Sequence, residues 1–235
     1  GDVYKRQEKI SVDVKQIENY LTLFLKDISD LDSIINNSKI LDEYKFILKE
    51  SKNKADKLLD NDKEYIISKM SLNGSNMWAK QWQQITSTLS VDYNNDVLTL
   101  PEIRNLAYDK DVNVRKNAYY AELKSYEKID LPSAFSINGI KGEVIEICNL
   151  RGHNSPLEMT LKDSRLDKEV FDAMFNAIKE SLPKLQKYFI KKAEILGHKN
   201  GLPFYDLFAP ISNNTKKYTY DEAKQFVSVS YTHLR

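Results

Sequence analysis

The sequence predicts a mainly α chain, a multi-helix lobe that carries one small β-hairpin at about residues 89–99. Apolar residues recur at i, i+3 and i+4 through most of its length, which is the period of one helix face. Seven glycines and six prolines in 235 residues are too few for the turns of a β-sandwich. Period-two alternation occurs in one stretch, Leu89, Val91 and Tyr93 followed by Val97 and Thr99, with Asn94-Asn95-Asp96 between them as the turn.

Val14, Ile17, Leu21, Phe24, Leu25 and Ile28 mark a first helix, with Lys15, Glu18 and Lys26 off the stripe. Leu31, Ile34 and Ile35, then Leu41, Tyr44 and Leu48, continue the period with a break near Asn36-Asn37. Ala55, Leu58, Leu59, Tyr65, Ile66 and Met70 carry the next stripe, and Leu72-Asn73-Gly74-Ser75 stops it. Trp78, Trp82, Ile85 and Leu89 share a helical face, expected to anchor the core against the hairpin. Thr99-Leu100-Pro101-Glu102 is a capping box with proline in the first turn, so a helix begins at once. Asp111 opens another, which ends near Asp130-Leu131-Pro132. Gly139 and Gly142 interrupt the stripe Phe135, Ile137, Ile140, Val144 and Ile147. Each costs ~1 kcal/mol against alanine, so close packing is expected to compensate. Asp167 caps a helix bearing Phe171, Met174, Phe175 and Ile178, Pro183 is expected to open a separate one, and Gly197 stops it. The aromatic run from Phe204 to Pro210 reads as extended, and Thr219-Tyr220-Asp221-Glu222 is a second capping box.

Lys+Arg 35 against Asp+Glu 34 gives a net charge of +1, without the basic footprint of a nucleic-acid binder. No apolar run approaches the ~20 residues that span a bilayer, so no membrane partner is expected. A single cysteine excludes a disulfide framework and a cysteine zinc cage, and fits a reducing compartment. The expected location is therefore cytoplasmic, with a leader segment left open. Residues 1–7 lack an amphipathic period, and residues 228–235 interrupt a helical pattern with β-branched and small residues. Both strings read as translated adapter sequence, which leaves residues 8–227 as the helical lobe.

Candidate chemistry is sparse. His153, His198 and His233 are followed by Asn154, Lys199 and Leu234, so none begins the His-Glu-x-x-His of a zinc peptidase helix. His153 reads as a loop or cleft-facing side chain, and His198 as a residue just past a helix end. Cys148 lacks a histidine partner pattern and reads as a buried small hydrophobe. Tyr119-Tyr120 and Tyr218/Tyr220 either line a peptide groove or pack at the core edge. Phosphate-loop, dinucleotide and nucleophile-elbow glycine patterns are all absent. No catalytic, cofactor-binding or metal-ligating residue is assigned to this chain.

Several stretches nevertheless resemble one family when taken in order and at their spacing. They are Ile67-Ser68-Lys69-Met70-Ser71-Leu72-Asn73-Gly74-Ser75 leading to Trp78, the segment from Asp109 through Arg115 to Ala118-Tyr119, and Ile137-Asn138-Gly139-Ile140-Lys141-Gly142-Glu143. Arg151-Gly152-His153-Asn154-Ser155-Pro156-Leu157, Tyr188 with Lys191-Lys192-Ala193 and Leu196-Gly197, Tyr205-Asp206-Leu207-Phe208-Ala209-Pro210 and Tyr218-Thr219-Tyr220-Asp221-Glu222-Ala223 complete the set. Together they are similar to the oligoendopeptidase F family of thimet-oligopeptidase-like zinc metallopeptidases, over about residues 13–227. His153 departs from the pattern, since the family more often has tyrosine after Arg-Gly. The resemblance implies a zinc-dependent oligoendopeptidase as the parent protein, with short peptides as substrates. This chain would be its N-terminal, channel-wall part. The zinc motif and the C-terminal lobe would lie outside the chain, which alone is expected to bind no zinc and cleave nothing. The competing reading is a non-catalytic helical binding or scaffolding module.

Overall fold

The structure is a computed structural model that describes residues 2–212 and 218–232. The expected class holds: helices throughout, with one two-stranded hairpin among the described residues. Helix α1 (Asp2–Lys26) runs through the segment set aside as foreign. It is followed by α2 (Leu31–Asn36), α3 (Lys39–Glu43), α4 (Lys45–Lys54) and α5 (Asn61–Ser71). Helices α4 and α5 pack on α1. Leu25, Leu31 and Ile35 form a small core sealed by Ile28, Leu41 and Leu48. Asp30, Ser38 and Asp60 cap α2, α3 and α5 by accepting from the N–H groups of Ser33, Leu41 and Lys63, donors that a helix start leaves unpaired. Val14, Ile17, Leu21 and Phe24 on the predicted stripe are exposed; α1 buries Val12, Asn19 and Leu25.

Helix α6 (Ser75–Ser87) packs along α9 (Asp130–Leu150). Gly139 is the reason they come so close, because a Cβ there would approach the Trp78 ring to 2.4 Å. At the α5–α6 corner, Ser71 Oγ (2.5 Å), Ser75 N–H (2.6 Å) and Ser75 Oγ (2.8 Å) all donate to Glu143. Burial opposes ionisation of Glu143, but these donors outweigh it and hold its carboxyl below the ordinary range. The tryptophan helix therefore packs on α9 and not on the hairpin, and Trp82 is 46% exposed. The glycine slot takes one indole, and the hairpin finds its partner elsewhere.

That hairpin, β1 (Ser90–Tyr93) and β2 (Asp96–Thr99), is antiparallel with Val91 opposite Leu98. Asn94 and Asn95 take φ of 50° and 71°, left-handed values that asparagine tolerates in a two-residue hairpin turn. Leu89 and Val91 join Leu100, Ile103 and Ala118 in a second core. Its other walls are α7 (Leu100–Asn105) and α8 (Val112–Ser125), and Thr99 with Glu102 closes the predicted capping box of α7.

Helix α10 (Pro156–Asp163) is capped by Ser155. Helix α11 (Lys168–Ile195) runs 28 residues straight through Pro183, where the sequence predicts a break. Pro183 is exposed, so water can reach the carbonyl that its missing N–H leaves free. Gly197, at φ 82°, comes after the helix as expected. Phe204–Asp206 forms a 3-10 turn rather than an extended strand, because Asp206 is drawn inward. Helix α12 (Tyr220–Thr232) starts on the box of Thr219 and Glu222. It continues through Ser228 to Thr232, where an interruption is predicted; the helix penalties of β-branched residues and serine, each below ~0.7 kcal/mol, are small enough to allow this. No helix among the described residues is long and apolar enough to cross a membrane.

Candidate functional site

The residue that draws the aromatic run inward is Asp206, 1% exposed at the end of its 3-10 turn. It accepts from Arg115 Nε at 2.8 Å and lies 2.7 Å from a second guanidinium nitrogen. Its other oxygen meets His198 Nε2 at 2.5 Å. Arg115 is itself buried on α8 and donates to the carbonyls of Asp109 (2.7 Å) and Lys110 (3.0 Å). Lys192 adds a bond to the Leu207 carbonyl at 2.8 Å. Every one of these charged groups has a partner, which is what makes a buried charge pair tolerable.

This joint clamps the aromatic run onto α8. Tyr119 packs against Phe204 and Tyr205 with ring centroids 5.6 and 6.2 Å apart, and Tyr108 meets Phe208 at 5.1 Å. Between them opens a cavity of about 630 Å³, walled by Ile103, Tyr108, Ala118, Tyr119, Phe204 and Phe208, a size and chemistry typical of ligand pockets. Its rim is polar. Arg104 donates to Glu122 (2.7 Å) and to the Tyr126 hydroxyl (2.8 Å), and Tyr126 in turn donates to Glu122. Burial and then the Glu122 carboxylate push the Tyr126 phenol above its usual pKa.

A larger cleft of about 1020 Å³ lies between α4, the 151–155 loop and α10. Several of its charges are paired. Arg165 and Lys54 pair with Glu50, and Lys162 pairs with Glu158. Arg151 grips the buried Glu64 with two bonds of 3.0 and 2.7 Å. The Asn154 N–H and then Lys162 pull the Glu158 carboxyl down to about 2. His153 lies at this cleft with its side chain 6% exposed, 3.9 Å from Glu158, and its Nδ1 is buried without a hydrogen bond. Burial, then the Lys162 charge, lower its pKa.

The structure thus separates the residues singled out from the sequence. Cys148 is 2% exposed inside α9, with Sγ 3.8 Å from the His153 carbonyl, the small-hydrophobe role expected of it. His198 does more than sit past a helix end, because it holds Asp206. Tyr119 walls the cavity, while Tyr120, Tyr218 and Tyr220 are exposed. His233 lies outside the described residues. Arg115 and Asp206 fall inside the family-like segments but receive no role from sequence, and Glu64 is passed over; no local pattern reports the ion pairs that they make. Among the described residues, no three His, Cys, Asp or Glu side chains gather as metal donors. The described residues thus offer no zinc donor set of their own, and the resemblance places the zinc motif outside this chain.

No family model matches the chain. Among curated proteins it is 26% identical to oligopeptidase PepF of Bacillus subtilis (strain 168) over 137 residues, 58% of this chain and 20% of that protein. It is 28% identical to the oligoendopeptidase F homolog of Lactococcus lactis subsp. lactis (strain IL1403) over 131 residues, 53% of this chain and 21% of that one. The oligoendopeptidase-F structure from Enterococcus faecium superposes with a TM-score of 0.77 at 17% identity, covering 97% of this chain and 48% of that one. The similarities in sequence and in fold both fall on proteins named oligoendopeptidase F. A structure of PZ peptidase A shares the fold at a TM-score of 0.71 and 13% identity, covering 100% of this chain and 42% of that one. The match thus spans about a fifth of the curated oligoendopeptidases' length and under half of these two solved chains.

Proposed function

We propose that this chain forms a peptide-facing wall of an oligoendopeptidase, an enzyme that hydrolyses short peptides. The chain supplies binding surface and size exclusion, and residues outside it supply the zinc centre. The observation that carries this reading is the aromatic cavity held open by the Arg115–Asp206–His198 joint. A cavity walled by Tyr119, Phe204 and Phe208 suits apolar side chains of a peptide, and the Arg104–Glu122 rim suits its polar backbone. The peptidase names of the relatives supply the substrate class.

Short peptides titrated into the chain should bind, and Phe208→Ala should weaken that binding while the helical signal stays unchanged. Metal analysis after dialysis and a quenched fluorescent peptide assay should give neither stoichiometric zinc nor turnover. Zinc at one equivalent with turnover would overturn the division of labour. Loss of all peptide binding in the intact chain would overturn the wall.

A further inference from the structure

Asparagine is followed by glycine three times, at Asn73-Gly74, Asn138-Gly139 and Asn200-Gly201. The pair carries a chemical liability. Asparagine is among the thermolabile residues, and a glycine after it has no Cβ to keep its backbone nitrogen off the side-chain amide. All three asparagines are exposed, so access of water does not separate them. The glycine N–H does. Gly74 donates to the Met70 carbonyl at 2.9 Å, and Gly139 lies inside α9, where its N–H belongs to the helical ladder. Gly201 lies in the loop after α11 at φ 97°. Among the described residues, neither its N–H nor those of Lys199, Asn200 and Leu202 donates a hydrogen bond. The ends of this loop are nonetheless fixed. The His198 N–H donates to the Ala193 carbonyl at 2.9 Å, and the His198 ring holds Asp206 at 2.5 Å. Asn200 and Gly201 therefore sit in the middle of the tether that delivers Asp206 to Arg115.

We propose that Asn200 is a covalent modification site, where the folded chain loses its side-chain amide by spontaneous cyclisation onto Gly201. The Gly201 nitrogen attacks Asn200 Cγ, and the new N–Cγ bond closes a succinimide ring. The Cγ–Nδ2 bond breaks, and Nδ2 leaves as ammonia with the proton that the Gly201 nitrogen gives up. Water then adds to one of the two ring carbonyls. Opening at Cγ yields aspartate. Opening at the Asn200 main-chain carbonyl yields isoaspartate, in which the chain runs through the former side chain. Water is the only co-reactant, and nothing is oxidised or reduced. At Gly74 and Gly139 the same attack requires the nitrogen to surrender a hydrogen bond and to pull backbone out of a packed corner or a helix. At Gly201 no bond has to be broken first. Either product places a carboxylate two residues from His198, and isoaspartate also lengthens the tether by one backbone carbon. The modification thus falls on the link that seats Asp206 beside Arg115.

The 235-residue chain, aged in mildly alkaline buffer, digested and read by mass spectrometry, should gain the mass of –OH over –NH2 at Asn200. The gain should be at least roughly tenfold faster there than at Asn73 or Asn138, the factor that one retained hydrogen bond supplies. In concentrated urea the helices are gone and the same dipeptide remains at each position, so the three rates should converge. The aged folded chain should also lose part of its near-ultraviolet tyrosine signal. Asn200→Gln, whose longer side chain closes a ring far more slowly, should keep that signal over the same period. Equal rates in the folded chain, a faster reaction at Asn73 or Asn138, or a preference for Asn200 that persists undiminished in urea would each overturn the proposal. Equal loss of the tyrosine signal in wild type and Asn200→Gln would overturn its effect on the tether. The readouts are masses and tyrosine signals, so the result stands apart from the peptidase reading.

Discussion

The hairpin core and helix α11 are built from equally apolar sequence and end in opposite states. Leu89, Val91, Leu100, Ile103 and Ala118 are all buried around the hairpin. Phe175, Ile178, Leu182 and Leu185 on α11 are all exposed. The difference lies in the connection that leaves each stripe. The hairpin leads through the Thr99 box directly into α7, so local chain geometry folds two elements onto one another. Helix α11 leads through Gly197 into a turn that returns to α8, which covers only its last turn, at Lys192 and Ala193. Amphipathic periodicity therefore shows which face wants cover, and the connections decide whether the chain itself provides it.

The largest expected effect belongs to the joint that makes this return. Asp206→Ala would leave the buried Arg115 guanidinium without its carboxylate, and removing one partner of a buried ion pair costs ~3–5 kcal/mol. The urea midpoint should fall accordingly, and tyrosine signals from the cavity should change with it. A loss below ~1 kcal/mol, the scale of an exposed pair, would mean that the aromatic run is held by its rings alone.

A direct probe of the comparison is one truncation in each region. Ile103→Ala, at 1% exposure, should cost ~2–5 kcal/mol. Leu182→Ala on α11 should stay within ~0.5 kcal/mol in dilute, monomeric solution. The same contrast divides the tryptophans. Trp78 sits in the Gly139 slot and Trp82 is 46% exposed, so Trp78→Ala should destabilise the chain by several-fold more than Trp82→Ala. Equal losses from the two would place the hairpin against the tryptophan helix after all.

Much of this architecture was legible because its causes are local. The two asparagines of the hairpin turn and the Thr99 box are written in neighbouring residues, while Gly139 announces a close approach without naming its distant partner, Trp78. The interactions that were not legible join distant positions. Arg115 and Asp206 are 91 residues apart, as 72 residues separate Ser71 from Glu143, and no period in one helix reports a carboxylate in another. Pro183 misled for a related reason. Its cost depends on whether water reaches the freed carbonyl, which is a property of the folded surface. The family resemblance was read from dispersed motifs, and the similarity to known oligoendopeptidases supports it. The cavity was not readable, because Tyr119 and Phe204 become neighbours only when Asp206 is pulled inward.

A smaller effect should appear on acidification. His153 is buried, and burial with the Lys162 charge depresses its pKa below the ordinary 6.5. The unfolded chain therefore takes up a proton that the folded chain refuses, so this stabilisation is present above about pH 6.5 and declines as the pH falls below it. Urea midpoints between about pH 7 and pH 5 should fall in the wild type, and His153→Phe should flatten the difference. An identical slope in both proteins would show that His153 is protonated without penalty, with Glu158 moving in to accept from it.

The finest test uses two caps of the same design in the two kinds of setting. Thr99 and Glu102 cap α7 beneath the hairpin core, and Thr219 and Glu222 cap α12. Both hydroxyls accept from the glutamate N–H at similar lengths, 3.4 and 3.3 Å. In both boxes the threonine N–H lies 2.7 Å from the returning carboxylate, and these threonine donors hold each glutamate pKa below its ordinary value. Local geometry thus predicts equal costs, ~1 kcal/mol for each Thr→Ala. The surroundings predict unequal ones. Helix α7 buries Leu100 and Ile103, so its start is part of the cooperative unit, whereas α12 is exposed at every residue from Tyr220 to Ser230 and can fray without opening a core. Thr99→Ala should therefore lower the global urea midpoint, while Thr219→Ala should leave it unchanged and reduce only the helical signal and the exchange protection of α12. If Thr219→Ala instead lowers the global midpoint as much as Thr99→Ala, α12 is packed in solution, and the division between covered and uncovered helices falls at this end of the chain.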